Sequence, residues 1–193
     1  MSKASITTAQ PIWDFLSGNS QPRRTAAELY GRLVAHSRAP AIYADLNVPD
    51  TPEGRFEVLM LHVVLMLRRL SRDGAVAEPL SRAVSEAFVT DMDDCLREMG
   101  VGDLTVAKKV KLAAAALYDR SRDYGAALAS NDADGLARLL RRHVWAESGT
   151  PDAGVDTAAR RLAAYAAKIE AQLADHAIDA VAEGRLDFPV VPA

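Results

Sequence analysis

The chain contains a single cysteine, Cys95, so no disulfide can close within it, and no CxxC pair is present to hold zinc. Aromatic residues make up only 6% of the 193 residues, and no segment alternates polar and apolar residues convincingly. Both shortages argue against a β-sheet protein. Long apolar runs are missing as well. The longest, VLMLHVVLML (58–67), is interrupted by His62 and falls far short of the roughly 20 residues that span a bilayer. The opening MSKASITTAQPIWDFLSG has neither the apolar core of a signal peptide nor the arginine-rich pattern of a transit peptide. HExxH, GxSxG, the P-loop and GxGxxG are all missing, so the commonest hydrolase, nucleotide and dinucleotide sites have no anchor. Neither sign of charge dominates. The net charge is −3 and the pI near 5.8, which argues against DNA or other non-specific nucleic-acid binding by the body as a whole.

What is present points to helices. Residues are 49% hydrophobic and 25% charged, much of the apolar share is alanine, and alanine is the strongest helix former. The pattern predicts helices over 23–38, 53–72, 78–99, 105–129, 133–146 and 156–183, hence an all-α bundle of about six helices in one domain. Thr25 is placed to cap the first, and Asp103 or Thr105 the fourth. Gly100, followed by Val101, is placed to close the third in a left-handed cap. The 53–72 helix is apolar nearly all round, which predicts the buried centre of the bundle. Residues 39–55 carry Pro40, Pro49, Pro52 and Gly54 and read as turns. The organisation expected is a flexible segment 1–22, a helical domain 23–185 and a tail 186–193. Arginine strongly outnumbers lysine, and a bacterial cytoplasm is the expected setting.

The stretch EAFVTDMDDCLREMGVGDLTVAKKVK (86–111) concentrates charge. On a helix turning 100° per residue, Phe88, Met92, Cys95, Leu96 and Met99 share one face, which is expected to be buried. Cys95 then reads as a small core residue rather than a nucleophile. Asp91, Asp94 and Glu98 flank that face, and Asp93 and Arg97 form an i,i+4 pair. The three flanking carboxylates could hold a metal, but their helical spacing lacks the alternating ligands of a calcium loop. On the next helix Lys108, Lys111, Asp119 and Arg122 lie opposite the core stripe, with Leu112 among them. An acidic ridge beside a basic one across a GVGD turn reads as a partner surface or as two solvated faces. No histidine has a companion at ligand spacing, and His62 and His176 read as satisfied core residues. RLLRRHVW (138–145) allows contact with RNA, though basic residues at a helix end explain it equally. No catalytic residue, metal site or cofactor site is expected.

Three blocks resemble one family, the ubiquinol–cytochrome c chaperones. They are YADLNVPDTPEGRFEVLMLHVVLMLRRL (43–70), FVTDMDDCLREMGVGDLTVAKKVK (88–111) and LYDRSRDYGAAL (117–128). Two departures, Ala107 where glycine is expected and LYD at 117–119, suit a helix and leave the fold intact. The resemblance implies a non-enzymatic assembly factor of the cytochrome bc complex with newly made cytochrome b as its client. It also implies a small partner chaperone and work near the ribosome, at most peripheral to the inner face of the bacterial inner membrane. The residues carried over as candidate contacts are Arg55, Asp91, Asp93, Arg97, Glu98, Asp103, Lys108, Lys111 and Arg120. The helical faces add Asp94, Leu112 and Arg122. A chaperone for a membrane protein should offer an apolar groove rimmed with charge. Leu112 and the IWDF cluster (12–15) are apolar groups suited to such a groove or to lipid. Reversing Lys108 and Lys111 to glutamate is expected to weaken client binding without unfolding the chain. The readings from other classes are an RNA- or ribosome-binding module and an enzyme with a metal at Asp91, Asp94 and Glu98.

Overall fold

The apolar run from Val58 to Leu67 decides the architecture, because a helix built from it has no face to give to water. The computed structural model describes residues 21–146, 153–183 and 185–191, and among them it has eight α-helices and no strand. They are α1 Gln21–Ser37, α2 Pro40–Ala44, α3 Pro52–Ser71, α4 Glu78–Glu98, α5 Asp103–Ala129, α6 Ala133–Val144, α7 Ala153–Asp175 and α8 Ile178–Ala182. Thirteen of the twenty residues of α3 are buried, and α1, α4, α5, α6 and α7 all pack around it. Burying each large apolar side chain contributes about 1.5–3 kcal/mol, so α3 is the main source of cohesion. The IWDF cluster lies outside the described residues.

Local chemistry sets most helix ends. Thr51 caps α3, its Oγ1 accepting the Gly54 N–H at 3.1 Å, with Pro52 in the first turn. A Cβ at Gly54 would collide with the carbonyl of Pro49, so glycine is what lets the 45–51 segment lie against α3. At the end of α4 Gly100 takes φ +75. The Gly100 N–H donates to the Arg97 carbonyl at 2.9 Å and the Val101 N–H to that of Leu96 at 3.1 Å. That is the Schellman pattern expected from the sequence.

The structure corrects several expectations. Thr25 is a buried residue inside α1, which already runs from Gln21. Gly102 occupies the N-cap of α5 without a side-chain cap, and Asp103 is its first helical residue. The proline-rich 39–55 segment forms the short α2, because Pro40 is acceptable in a first turn. The last helix is two, broken at His176 and Ala177. Here the buried guanidinium of Arg69 takes the carbonyls of Leu173 at 2.9 Å and His176 at 2.6 Å. A charged donor satisfies the carbonyls that a helix end leaves open, so the chain can turn away. Arg68 and Arg72 both meet Glu170, joining α3 to α7 beside that break.

Trp145 is buried and donates its indole N–H to the Asn47 carbonyl at 3.3 Å, so it packs in the core and offers no face to a nucleobase. Next to it Arg141 pairs with Asp156 at 2.6 Å.

Candidate functional site: an apolar groove between the α4 and α5 ends

Only the first half of α4 is buried, through Leu80, Ala83, Val84 and Phe88. Beyond Phe88 the apolar stripe continues but no helix covers it. Met92, Cys95 and Leu96 are half-buried, and Met99 is 67% exposed. The face expected to be core is therefore core for half its length and a groove wall for the rest. Opposite it, α5 presents Ala113 and Ala116, whose small side chains leave the space open, and α3 supplies Phe56 and Leu59 as the floor. The cavity measures about 680 Å³, within the range of sites that hold a small ligand or a short run of side chains. Two methionines on its wall suit it to varied apolar partners, since thioether chains repack at little cost.

Charge surrounds the opening. Arg38, Arg55, Asp91 and Lys109 stand at the rim. Arg55 pairs with Asp50 at 2.6 Å and lies over the Tyr43 ring, 5.1 Å from its centroid. Asp91 accepts the Tyr30 hydroxyl at 2.7 Å and so ties α4 to α1. Burial and that hydrogen bond push the tyrosine well above the usual phenol range. The Cys95 thiol lies 3.8 Å from the same carboxylate. Burial pushes it upward, with Asp91 and Glu98 adding to the shift, so the sulfur is held as the thiol at neutral pH. A second hollow of about 630 Å³ adjoins the groove across Phe56, Leu96 and Lys109.

The predicted site residues divide into separate groups. Arg55, Asp91 and Leu112 belong to the groove. Arg97 bridges Asp93 and Asp103, each at 2.5 Å, and clamps the GVGD turn between α4 and α5. Asp94 and Glu98 point to solvent, and among the described residues no three His, Cys, Asp or Glu side chains are placed to hold a metal. The metal-enzyme reading thus loses its ligand set. Lys108 and Lys111 lie on the outer face of α5. Arg122 pairs with Asp119 at 3.5 Å and Asp123 at 2.8 Å on the surface. Arg120 lies under the second hollow, and its two nitrogens reach Glu57 at 2.7 and 3.2 Å; the two side chains are 15% and 9% exposed. Its first task is to join α5 to α3.

Sequence reasoning missed most of the apolar lining: Phe56, Leu59, Met92, Leu96, Met99 and Ala116. The available signal was two methionines seven residues apart facing a run of alanines at helical spacing. Also missed was a cluster in which His36, His62, Tyr165 and Phe188 meet. His36 Nε2 lies 2.5 Å from the Tyr165 hydroxyl, and the two histidine rings are 5.2 Å apart. His62 is not fully satisfied: its Nδ1 bonds the Val58 carbonyl at 2.7 Å, but its Nε2 has no hydrogen-bond partner among the described residues.

A helical body whose open feature is an apolar, methionine-lined groove with a charged rim has the form of a protein that binds other chains. None of its described helices is long and apolar enough to cross a membrane. The chain belongs to the ubiquinol–cytochrome c chaperone family, whose model matches residues 44–188. It is similar to the crystal structure of the Cbp3 homolog from Brucella abortus at a TM-score of 0.78 and 32% sequence identity. That match covers 93% of this chain and 97% of the other. No curated protein gives a significant match.

Proposed function

We propose that this chain is a non-enzymatic assembly chaperone of the cytochrome bc complex. Its client is newly made cytochrome b, and an apolar segment of that client occupies the groove between α4 and α5. The carrying observation is the uncovered second half of the α4 stripe, where Met92, Leu96 and Met99 face the small residues of α5. A client membrane protein exposes apolar helices before it is packed, and an amphipathic or apolar helix laid in a groove is a recurring mode of recognition. The mixed rim of Arg38, Arg55, Asp91 and Lys109 orients the segment without holding it irreversibly. The work takes place in the cytoplasm, at the inner face of the bacterial inner membrane.

Photocrosslinking tests this. With benzoylphenylalanine in place of Met92 or Leu96, brief irradiation in the native host should join the chain to cytochrome b. The same group at Arg82, outside the groove, should not. Equal yields at both places, or capture of ribosomal proteins without cytochrome b, would overturn the assignment.

A further inference from the structure

Among the described residues six large apolar side chains stand exposed, and four of them fall in one short stretch. They are Met99 (67%), Leu104 (91%), Leu112 (61%) and Tyr118 (72%). Three of the five lysines of the whole chain, Lys108, Lys109 and Lys111, lie between them. At 100° per residue, Leu104, Lys108, Lys111, Ala115 and Tyr118 share the face of α5 opposite buried Val106, Leu117 and Tyr124. Leu112 lies on the flank toward the groove. Arg97, Arg120 and Arg122 nearby each hold a carboxylate, whereas among the described residues none of the three lysines is in an ion pair. The acid on the same face, Asp119, is taken by Arg122.

We propose that this outer face of α5 docks on anionic phospholipid bilayers. Leu104, Leu112 and Tyr118 enter the headgroup region, and Lys108 and Lys111 meet the lipid phosphates. From Leu104 to Tyr118 the face runs about 21 Å along one straight helix, the shape that lies in a membrane plane. Its chemistry also fits lipid better than RNA. Aliphatic leucines add nothing to a phosphodiester backbone, while they partition into a bilayer interface, and tyrosine sits naturally at that depth. Unpaired ammonium groups supply the attraction to anionic headgroups. Because Leu112 belongs to both the outer face and the groove lip, docking brings the groove mouth to headgroup level. A newly made apolar client segment at the bilayer surface would meet the groove there. The lipid surface stands on its own observations and adds a place of work to the chaperone reading.

Sedimentation of the full chain with vesicles, in the absence of any client, tests the proposal. One set is phosphatidylcholine alone, the other phosphatidylcholine mixed equally with phosphatidylglycerol. Binding is expected only to the second set, and it should weaken with salt. Each juxtamembrane lysine is worth about fivefold in affinity, so Lys108→Glu with Lys111→Glu should lower it by at least about 25-fold. The milder pair, Lys108→Gln with Lys111→Gln, should fall between. Leu104→Ser with Leu112→Ser should weaken binding at every salt concentration, since screening does not touch the apolar part. Urea midpoints unchanged from wild type establish that all three variants are folded. Wild-type protein that ignores the anionic vesicles, or lysine variants that bind them as wild type does, would overturn the proposal. So would binding of poly(U) RNA, but not vesicles, through the same lysines. Loss of cytochrome b crosslinks with vesicle binding intact would count against the chaperone reading alone.

Discussion

Replacing His62 should remove a specific part of the acid sensitivity of this fold. The ring is wholly buried in α3 and faces His36, Tyr165 and Phe188. Burial pushes its pKa down to about 4, with His36 adding to the shift and the Val58 hydrogen bond opposing it. In the unfolded chain the same imidazole takes its proton near pH 6.5. Between those values the unfolded state binds more protons, so folding stability is complete above pH 6.5 and falls as the pH drops. At pH 5 the loss from this residue comes to about 2 kcal/mol, and near pH 4 to about 3 kcal/mol. Urea unfolding of wild type and His62→Met at pH 8 and pH 5 measures it. Methionine is chosen because it is apolar, unbranched and does not titrate. Burial lowers His36 as well, but His36 is present in both proteins. Wild type should therefore lose about 2 kcal/mol more than the variant between the two pH values. Equal losses would refute the reasoning, because they would mean that His62 takes its proton in the folded state as easily as in the unfolded one.

Two further outcomes follow from the interior. Arg120→Ala leaves Glu57, 9% exposed, without its partner and should cost about 3–5 kcal/mol in urea unfolding; a loss under about 1 kcal/mol would show that Glu57 is solvated. Cys95 should react with iodoacetamide at pH 7 much more slowly than a free cysteine, because burial and the Asp91 and Glu98 carboxylates hold it protonated. An apolar helical peptide seated in the groove should slow it further, and labelling at the free-thiol rate would contradict the placement of Cys95 on the groove wall.

Of the caps expected from the sequence, the close of α4 at Gly100 followed by Val101 was legible because its cause is local. Thr51 with Pro52 and Asp132 accepting the Gly135 N–H at 2.7 Å also act within a few residues but went unread, while Thr25 and Asp103 or Thr105, the N-caps expected, are not used as caps. The central place of α3 was equally legible, since a helix apolar on all sides has nowhere else to go. The end of α7 was not, because its cause, Arg69, is 104 residues from Leu173, whose carbonyl it takes. The meeting of His36 with His62 was likewise hidden, since the two belong to different helices.

The groove marks the boundary most clearly. Periodicity establishes that Phe88, Met92, Leu96 and Met99 share a face of α4, and it does so without any structure. It carries no information about what lies opposite. Phe88 is buried and Met99 is open to solvent. The tertiary structure decided the difference, because α1 and α3 both pack against α4, whereas opposite its second half the alanines of α5 leave the space unfilled. Sequence alone determined the six long helices, their order and the family resemblance, but not the short α2 or the break that separates α7 from α8. Whether an apolar face becomes core or binding site depends on the volume of side chains that arrive from distant parts of the chain, and only packing settles that.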